Sequence, residues 1–599
     1  MSDIRENGPV QLDASAGAAS PLNAWVGAAA VVAVSASLTG CGGGGGNPAP
    51  TAPSPDPSPA DPSTGEPAVP LTDEDAASRF LSQAGLCATP DDISALVAGK
   101  LDYRAWLNAQ FAKPARNANA SRPEDRTAWQ LGHDLRLTSS FKLYQGSDYG
   151  LDNVLWFRLF TADDVLRQRV TLALSEIFVV SIRNMPIPWG QFACLAYWDL
   201  LESHCFGTFR QLIEAVTLSP AMGVYLSMRG SRKGDDTSGR RPDENYAREL
   251  LQLFTIGLYM LNQDGTLAKD GRGQSIETYT NDDITQLAKV MTGWDMDSLR
   301  VPAYDADTTP DYTARPMVAH GDLHDATAKT IFAGKPYAIE VKAGAATPAD
   351  ELKQVLDGIC AHPNVAPFIS KQLIQRLVSS NPEPLHVSRV AQVFKDTGGD
   401  LKAVITAVLT DPLARDPLTG NAAVRRSKLR EPMLRFVQWG RLARMKSTDG
   451  LWGVGDLSAS DRLGQSPLRS PSVFNFFRPG YVPLKSGVNA DGFVAPEFQI
   501  TDESTVIGYA NFMLRHMGGA PEVNIAVDYQ DWLVYAPDAK QLVDQLNLVL
   551  TGRALAQVTV DVIVNAIQSL PAVTDADLTV RVKAAFFLML TSPDYMVQR

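Results

Sequence analysis

The chain has 599 residues, a formal net charge of −12, 45% apolar and 20% charged residues, so it has globular composition and length enough for one very large core or several. The acidic balance excludes wholesale nucleic-acid binding but not a local basic patch. None of the five cysteines, Cys41, Cys87, Cys194, Cys205 and Cys360, forms a Cys-x-x-Cys pair, which excludes zinc-ribbon and thioredoxin-type sites. The last four read as small buried hydrophobes, with a Cys194–Cys205 disulfide as the alternative in an oxidising compartment.

In chain order, the first element is the uncharged apolar run "LNAWVGAAAVVAVSASL", Leu22–Leu38. It fits the core of an export signal. It ends in "LTGC", which resembles a bacterial lipobox, so residues 1–41 are expected to be a signal that leaves Cys41 lipidated. Arg5 stands among Asp3, Glu6 and Asp13, a departure from the positive start such signals normally have. Residues 42–70, five glycines and then a Pro-rich tract, cannot form a core and read as an extended tether. At about 3.1 Å per residue in polyproline form it would hold a folded part tens of ångströms from a membrane. The expected location is extracytoplasmic, membrane-anchored through the lipid. With no acid directly after Cys41, it would be the outer membrane in a two-membrane cell.

From Thr72 onward, helical periodicity dominates. "TDEDAASRFLSQAGL", "TPDDISALVAGKLDYRAWLNAQF" and "TADDVLRQRVTLALSEIFVVS" each open with a cap and acids in the first turn. "TNDDITQLAKVMTGW" repeats the pattern, with Asp282 and Asp283 at capping positions. Further helices fit "PADELKQVLDGICAHPNVAPFISKQLIQRLVSS", read as one stretch, "KLREPMLRFVQWGRLARM" and the closing "LTVRVKAAFFLMLTSPDYMV". The expected fold is all-α: one large, irregular multi-helix domain over 71–599 with long loops and at most short β-ribbons. A sub-boundary is placed near 415–425. Residues 230–241 and 298–337 read as long loops, the second long enough to suggest function.

The stretch "RRPDENYARELLQLFTIGL", Arg240–Leu258, reads as a helix with Pro242 in the first turn and Gly257 as its stop. Glu244, Asn245, Arg248, Glu249 and Gln252 fall within roughly 140° of arc. Either this polar face is solvated, with Glu244 and Arg248 as an i,i+4 pair, or it lines a pocket. Between Arg425 and Lys446, eight bases stand against Glu431 alone. They would meet an anionic polymer or lipid headgroups, or answer acids elsewhere in the fold. "LGQSPLRSPSVFNFFRPGY" interleaves Gln465, Ser472, Asn475 and Arg478 with aromatics, a mixture suited to a carbohydrate or peptide surface and equally to a packed loop. No Gly-x-Ser-x-Gly elbow, phosphate-binding Gly-x-x-x-x-Gly-Lys loop, His-Glu-x-x-His pair or dinucleotide fingerprint occurs.

Taken together in this order, "LRQRVTLALSEIFVVS", "SPAMGVYL", "RRPDENYARELLQLFTIGL", "YTNDDITQLAKVMTGW", "HDATAKTIFAGK", "KLREPMLRFVQWGR", "LGQSPLRSPSVFNFF" and "FFLMLTSPDYM" resemble the bacterial domain of unknown function 1800 from about residue 76 to the C-terminus. Asp243 stands where the family pattern has Asn, and Gln252 where it usually has Glu, which argues against a carboxylate role at Gln252. The resemblance implies no particular reaction. It implies export, and frequent encoding beside a second exported family that resembles sulfatases and phosphatases. It also favours the pocket reading for Glu244, Asn245, Arg248 and Glu249, as hypothetical catalytic residues.

His324 and Asp325, in "HGDLHD" with His320 and Asp322, are the family-matching candidates to join them. With Glu244 and Glu249 they would offer ligands to zinc, iron or manganese, or through carboxylates to calcium or magnesium. The alternative is that Asp325 caps the following element and His324 makes a buried hydrogen bond. Glu244 and Glu249 as an acid/base pair lie about 140° apart on one helix and converge poorly. Arg248 between them suits an anion clamp. Three functional expectations follow. The first is a hydrolase or lyase on an extracellular polymer. The second is a surface module docking another exported protein. The third is a buried polar network that only fixes helix packing.

Overall fold

A computed structural model describes residues 71–138, 146–297, 310–344, 347–416, 425–484, 486 and 492–599. The signal, Cys41 and the tether lie outside the described residues, as does most of the 415–425 sub-boundary. The fold is mostly α, with short strands in small ribbons. Helices begin where threonines cap them. Thr72 opens α1 (Asp73–Ala84), and the side chain of Asp75 completes its capping box. Thr89 accepts from Asp92 N–H at the start of α2 (Pro90–Ala98). α3 (Val165–Ser175) and α4 (Gly190–His204) run through the centre and are buried along most of their length.

Next come α5 (Phe209–Leu218), the short α6 (Asn245–Glu249) and α7 (Asn281–Val290), the last capped by Thr280 with Asp283 as the reciprocal partner. Asp282 accepts from Gln286 rather than from a cap N–H. α8 (Pro348–Cys360) and α9 (Val365–Leu377) are separate helices, followed by α10 (Pro384–Asp396) and α11 (Leu401–Thr410). α12 (Pro432–Leu442), α13 (Glu503–Met517), α14 (Ala539–Thr551) and α15 (Asp575–Leu590) complete the main set.

Four antiparallel ribbons tie the loops: β1 (Trp294–Asp295) with β2 (Val318–Ala319), and β3 (Lys329–Ile331) with β4 (Ile339–Val341). β5 (Lys428–Leu429) pairs with β8 (Val597–Gln598), and β6 (Lys446–Ser447) with β7 (Ile525–Ala526). The long 298–337 loop thus carries strand residues at its described end. Buried apolar side chains form one connected cluster from Ala77 to Tyr595, and α1 packs on α14 across the whole sequence. Among the described residues no helix is long and apolar enough to cross a membrane.

Cys87, Cys194 and Cys205 are buried free thiols, and Cys360 is partly buried. Cys194 and Cys205 sit eleven residues apart along α4, an axial separation of about 16 Å at 1.5 Å per residue, which no disulfide spans. Burial pushes both thiols up to about 12.

Candidate functional site

The helix expected over Arg240–Leu258 is shorter than its periodicity suggests. Asp243 Oδ1 accepts from Asn245 N–H, and α6 holds only Asn245–Glu249 before the turn widens into a π-helix over Leu250–Thr255. Gly257 is the stop, as expected. Its φ is +72°, and a Cβ there would lie 2.6 Å from the Phe368 ring. Its N–H reaches back to Leu251 O at 2.9 Å, and Thr278 donates to its carbonyl, which together hold the wide turn. π turns of this kind recur at functional sites because they re-aim one turn of side chains. Here they aim Gln252 and Leu253 toward a cleft.

Glu244, Asn245, Arg248 and Glu249 do not line that cleft. Glu244 and Arg248 form a 3.4 Å pair with side chains 40% and 41% exposed, the solvated alternative. Glu244 also accepts from Thr285 Oγ1 on α7 at 2.8 Å. Asn245 is exposed. Glu249 is buried, its Oε2 finds no hydrogen-bond partner among the described residues, and burial pushes its carboxyl up against the pull of Arg248.

The expected partners lie elsewhere. His324 is buried with both ring nitrogens engaged, Nδ1 at 2.9 Å from Thr292 O and Nε2 at 3.1 Å from Glu351 Oε2. Lys329 Nζ closes on the same Glu351 oxygen at 2.6 Å. Asp325 accepts from Thr327 N–H in a local turn. Thr285, which touches Glu244, lies in the middle of α7, whereas Thr292, which touches His324, lies beyond the end of that helix. The metal constellation of Glu244, Glu249, His324 and Asp325 is therefore not assembled. The physical reason is that a buried lysine and a backbone carbonyl already satisfy the histidine and its carboxylate. Among the described residues, no group of three or more His, Cys, Asp or Glu side chains has the arrangement to hold a metal ion.

The cleft itself is large, about 990 Å³. One wall is the loop after the π turn, including Leu258, Tyr259 and Leu267, all exposed. Buried Asn364 pins that loop, donating to Ile256 O and Tyr259 O and accepting from Leu261 N–H. The second wall is α9, through Phe368, Lys371, Gln372 and Gln375. The third brings Phe474, Arg478 and Tyr481 together with Phe493 and Val494. Of the polar–aromatic segment, Gln465, Asn475 and Phe477 are packed inside while Phe474, Arg478 and Tyr481 face the cleft.

Glu176 and Arg376 form the polar floor. Arg376 Nη1 donates to Glu176 Oε2 at 3.2 Å. Gln465 Nε2 bridges Glu176 Oε1 at 3.3 Å and Glu431 Oε2 at 2.8 Å. Lys428 Nζ lies 3.7 Å from Glu431 and 3.2 Å from Glu497, and donates to Arg376 O at 2.9 Å. Arg169 donates to the same carbonyl. All six charged groups, Glu176, Glu431, Glu497, Arg169, Arg376 and Lys428, are buried.

The two carboxyls bridged by the Gln465 amide separate in proton affinity. Burial, reinforced by Glu431, pushes Glu176 well above the usual carboxylate range. Burial also works to raise Glu431, but the Glu176 proton, Lys428, Arg169 and Arg376 outweigh it and hold that carboxyl below the usual range. Local structure helps, because Glu431 precedes Pro432 at the first turn of α12, where the positive helix end favours a carboxylate. Glu176, at the cleft floor, is thus the member of the pair with the higher proton affinity.

Sequence reading missed this network. Glu176, Lys428 with Glu431, and Gln465 sit inside "LRQRVTLALSEIFVVS", "KLREPMLRFVQWGR" and "LGQSPLRSPSVFNFF", and a lone acid in an apolar run was the available signal. Arg376 and Glu497 carry no comparable sign. The bases of 425–446 mostly serve the interior. Arg430 lies over Tyr595, Arg435 over Tyr509, and Arg441 donates to Leu159 O and Ala162 O.

No curated protein and no solved structure matches the chain. The model of a family described as "protein of unknown function (DUF1800)" matches residues 79–597, most of the chain and all of the cleft network, and the chain belongs to that family.

Proposed function

We propose that this is an exported, lipid-anchored protein whose cleft acts as a hydrolase or lyase on an extracellular polymer, with Glu176 as the proton-handling residue at its floor. The observation that carries this reading is the Glu176–Glu431 pair. Two carboxyls bridged by one glutamine amide, with opposite shifts and one of them bordering a large open cleft, are an arrangement suited to acid–base chemistry. The cleft is long-walled and open, which suits a chain passing through it better than a small enclosed metabolite. Arg376 beside Glu176 supports charge developing on a substrate oxygen as the proton moves.

The test is turnover of extracellular polymers by the full chain, read as new chain ends. Glu176→Gln removes the transferable proton while keeping shape, and is expected to slow turnover at least about a hundredfold. Wild-type turnover in that variant would end the proposal. The exposed Leu258, Tyr259 and Leu267 at the cleft mouth favour a second reading, a docking module for another exported protein. In that case Glu176→Gln leaves function untouched while substitutions at the mouth do not.

A further inference from the structure

The cleft is positive in a negative protein. Its walls and floor carry four bases, Lys371, Arg376, Arg425 and Arg478, against two acids, Glu176 and Glu383. Among the described residues, three of those bases, Lys371, Arg425 and Arg478, form no ion pair with a carboxylate. Arg425 lies over the Phe493 ring at 5.7 Å and Arg478 over the Phe474 ring at 4.7 Å, and among the described residues neither is in an ion pair. Lys371 Nζ donates to the carbonyl of Gly265 at 3.2 Å. A guanidinium stacked on an aromatic ring is pre-placed while its N–H fork stays open to a ligand. The floor holds three cations, Arg169, Arg376 and Lys428, set among Glu176, Glu431 and Glu497.

Between and beside these cations stand side-chain amides, Gln252, Gln372, Gln375 and Asn381, and the aromatic side chains of Tyr259 and Tyr481. Amides paired with aromatic faces suit hydroxyl-rich, flat-faced units. None of the ribbon strands β1–β8 lines the cleft to extend a peptide backbone by edge pairing. We infer that the cleft takes an acidic polysaccharide, a chain of sugars bearing carboxylates. In this arrangement Arg425, Arg478 and Lys371 bind the acidic groups and the floor receives the linkage to be broken. This deepens, and rests on, the proposed polymer-cleaving function.

The experiment is binding and cleavage by the full chain of short oligomers of galacturonate and mannuronate. Neutral glucose oligomers and oligoglutamate of equal length serve as comparisons. The acidic sugars are expected to bind, and to bind more weakly as salt is raised. The exposed double variant R425Q/R478Q should bind them at least about tenfold more weakly, roughly the effect of losing one charge-assisted hydrogen bond. Equal binding of the neutral oligomers, tighter binding of oligoglutamate, no binding of either uronate, or an unchanged double variant each overturns the inference. The salt dependence of the wild-type chain decides the matter should the double variant misfold. Glu176→Gln separates the two proposals, since it should keep binding and lose cleavage. Acidic sugars that bind but are never cleaved leave the inference standing and remove the catalytic reading.

Discussion

If one proton is shared between Glu176 and Glu431, the two carboxyls should not be energetically independent, and their double-mutant cycle should show it. Glu176 is the protonated member, so Glu176→Gln swaps one neutral donor for another beside Glu431 and should cost about 0–1 kcal/mol. Glu431→Gln removes the ionised member from beside Lys428 at 3.7 Å. Glu176 can then release its proton and take over the charge, which limits the loss to about 1–2 kcal/mol. The double variant has no such substitute. Arg169, Arg376 and Lys428 are left buried with Glu497 as their sole carboxylate, a situation that typically costs about 3–5 kcal/mol. The double loss should therefore exceed the sum of the singles by about 2 kcal/mol.

Urea unfolding of the full chain at neutral pH, followed by both tryptophan fluorescence and far-UV circular dichroism, measures this where the two transitions coincide. The pH dependence adds a second check. A carboxyl raised in the folded state contributes stability that is present at low pH and fades as pH climbs past the ordinary carboxylate range. Glu176→Gln has no proton to lose, so it should gain on the wild type toward alkaline pH. Strict additivity within about 0.5 kcal/mol, or a Glu176→Gln loss as large as that of the double variant, would refute the shared-proton account.

Two further outcomes are expected. Gly257→Ala forces a residue at φ +72° and drives its Cβ into the Phe368 ring, so it should cost about 1–3 kcal/mol in the same urea titration. It should also weaken polymer turnover, because Phe368 and the loop after Gly257 are cleft walls. Cys41→Ala should abolish incorporation of labelled fatty acid and release the protein from membrane fractions. Unchanged labelling would remove the lipid anchor from the proposal.

The helical fold was legible because its signals are local. Thr72, Thr280 and Thr347 each open a helix with an acid three residues on, and each forms the reciprocal box that this spacing predicts. Gly257 was legible as a stop for the same reason. The π turn before it was not, since it depends on Phe368, more than a hundred residues away, occupying the space that fixes the backbone. The polar stripe of the opening helix was visible but its destination was not. Periodicity shows that Glu244 and Arg248 share a face, and only tertiary packing decides that this face meets Thr285 and solvent. His324 misled because the acid that engages it, Glu351, lies on a later helix outside the motif. The floor of the cleft was illegible as a whole. Its members come from α3, α9, β5, the turn before α12 and two loops, and no spacing rule links them.

The ribbon between β5 and β8 sets an order of events. Lys428 sits on β5, Arg430 N–H bonds to Met596 O, and Gln598 donates to Leu377 O at the end of the helix that carries Arg376. A ribosome makes residues 596–598 long after 428, so β5 gains its ribbon partner late. The charged members of the floor, from Arg169 to Glu497, are all made before that strand. Docking of β8 is thus a late step that braces a floor whose side chains come from earlier in the chain.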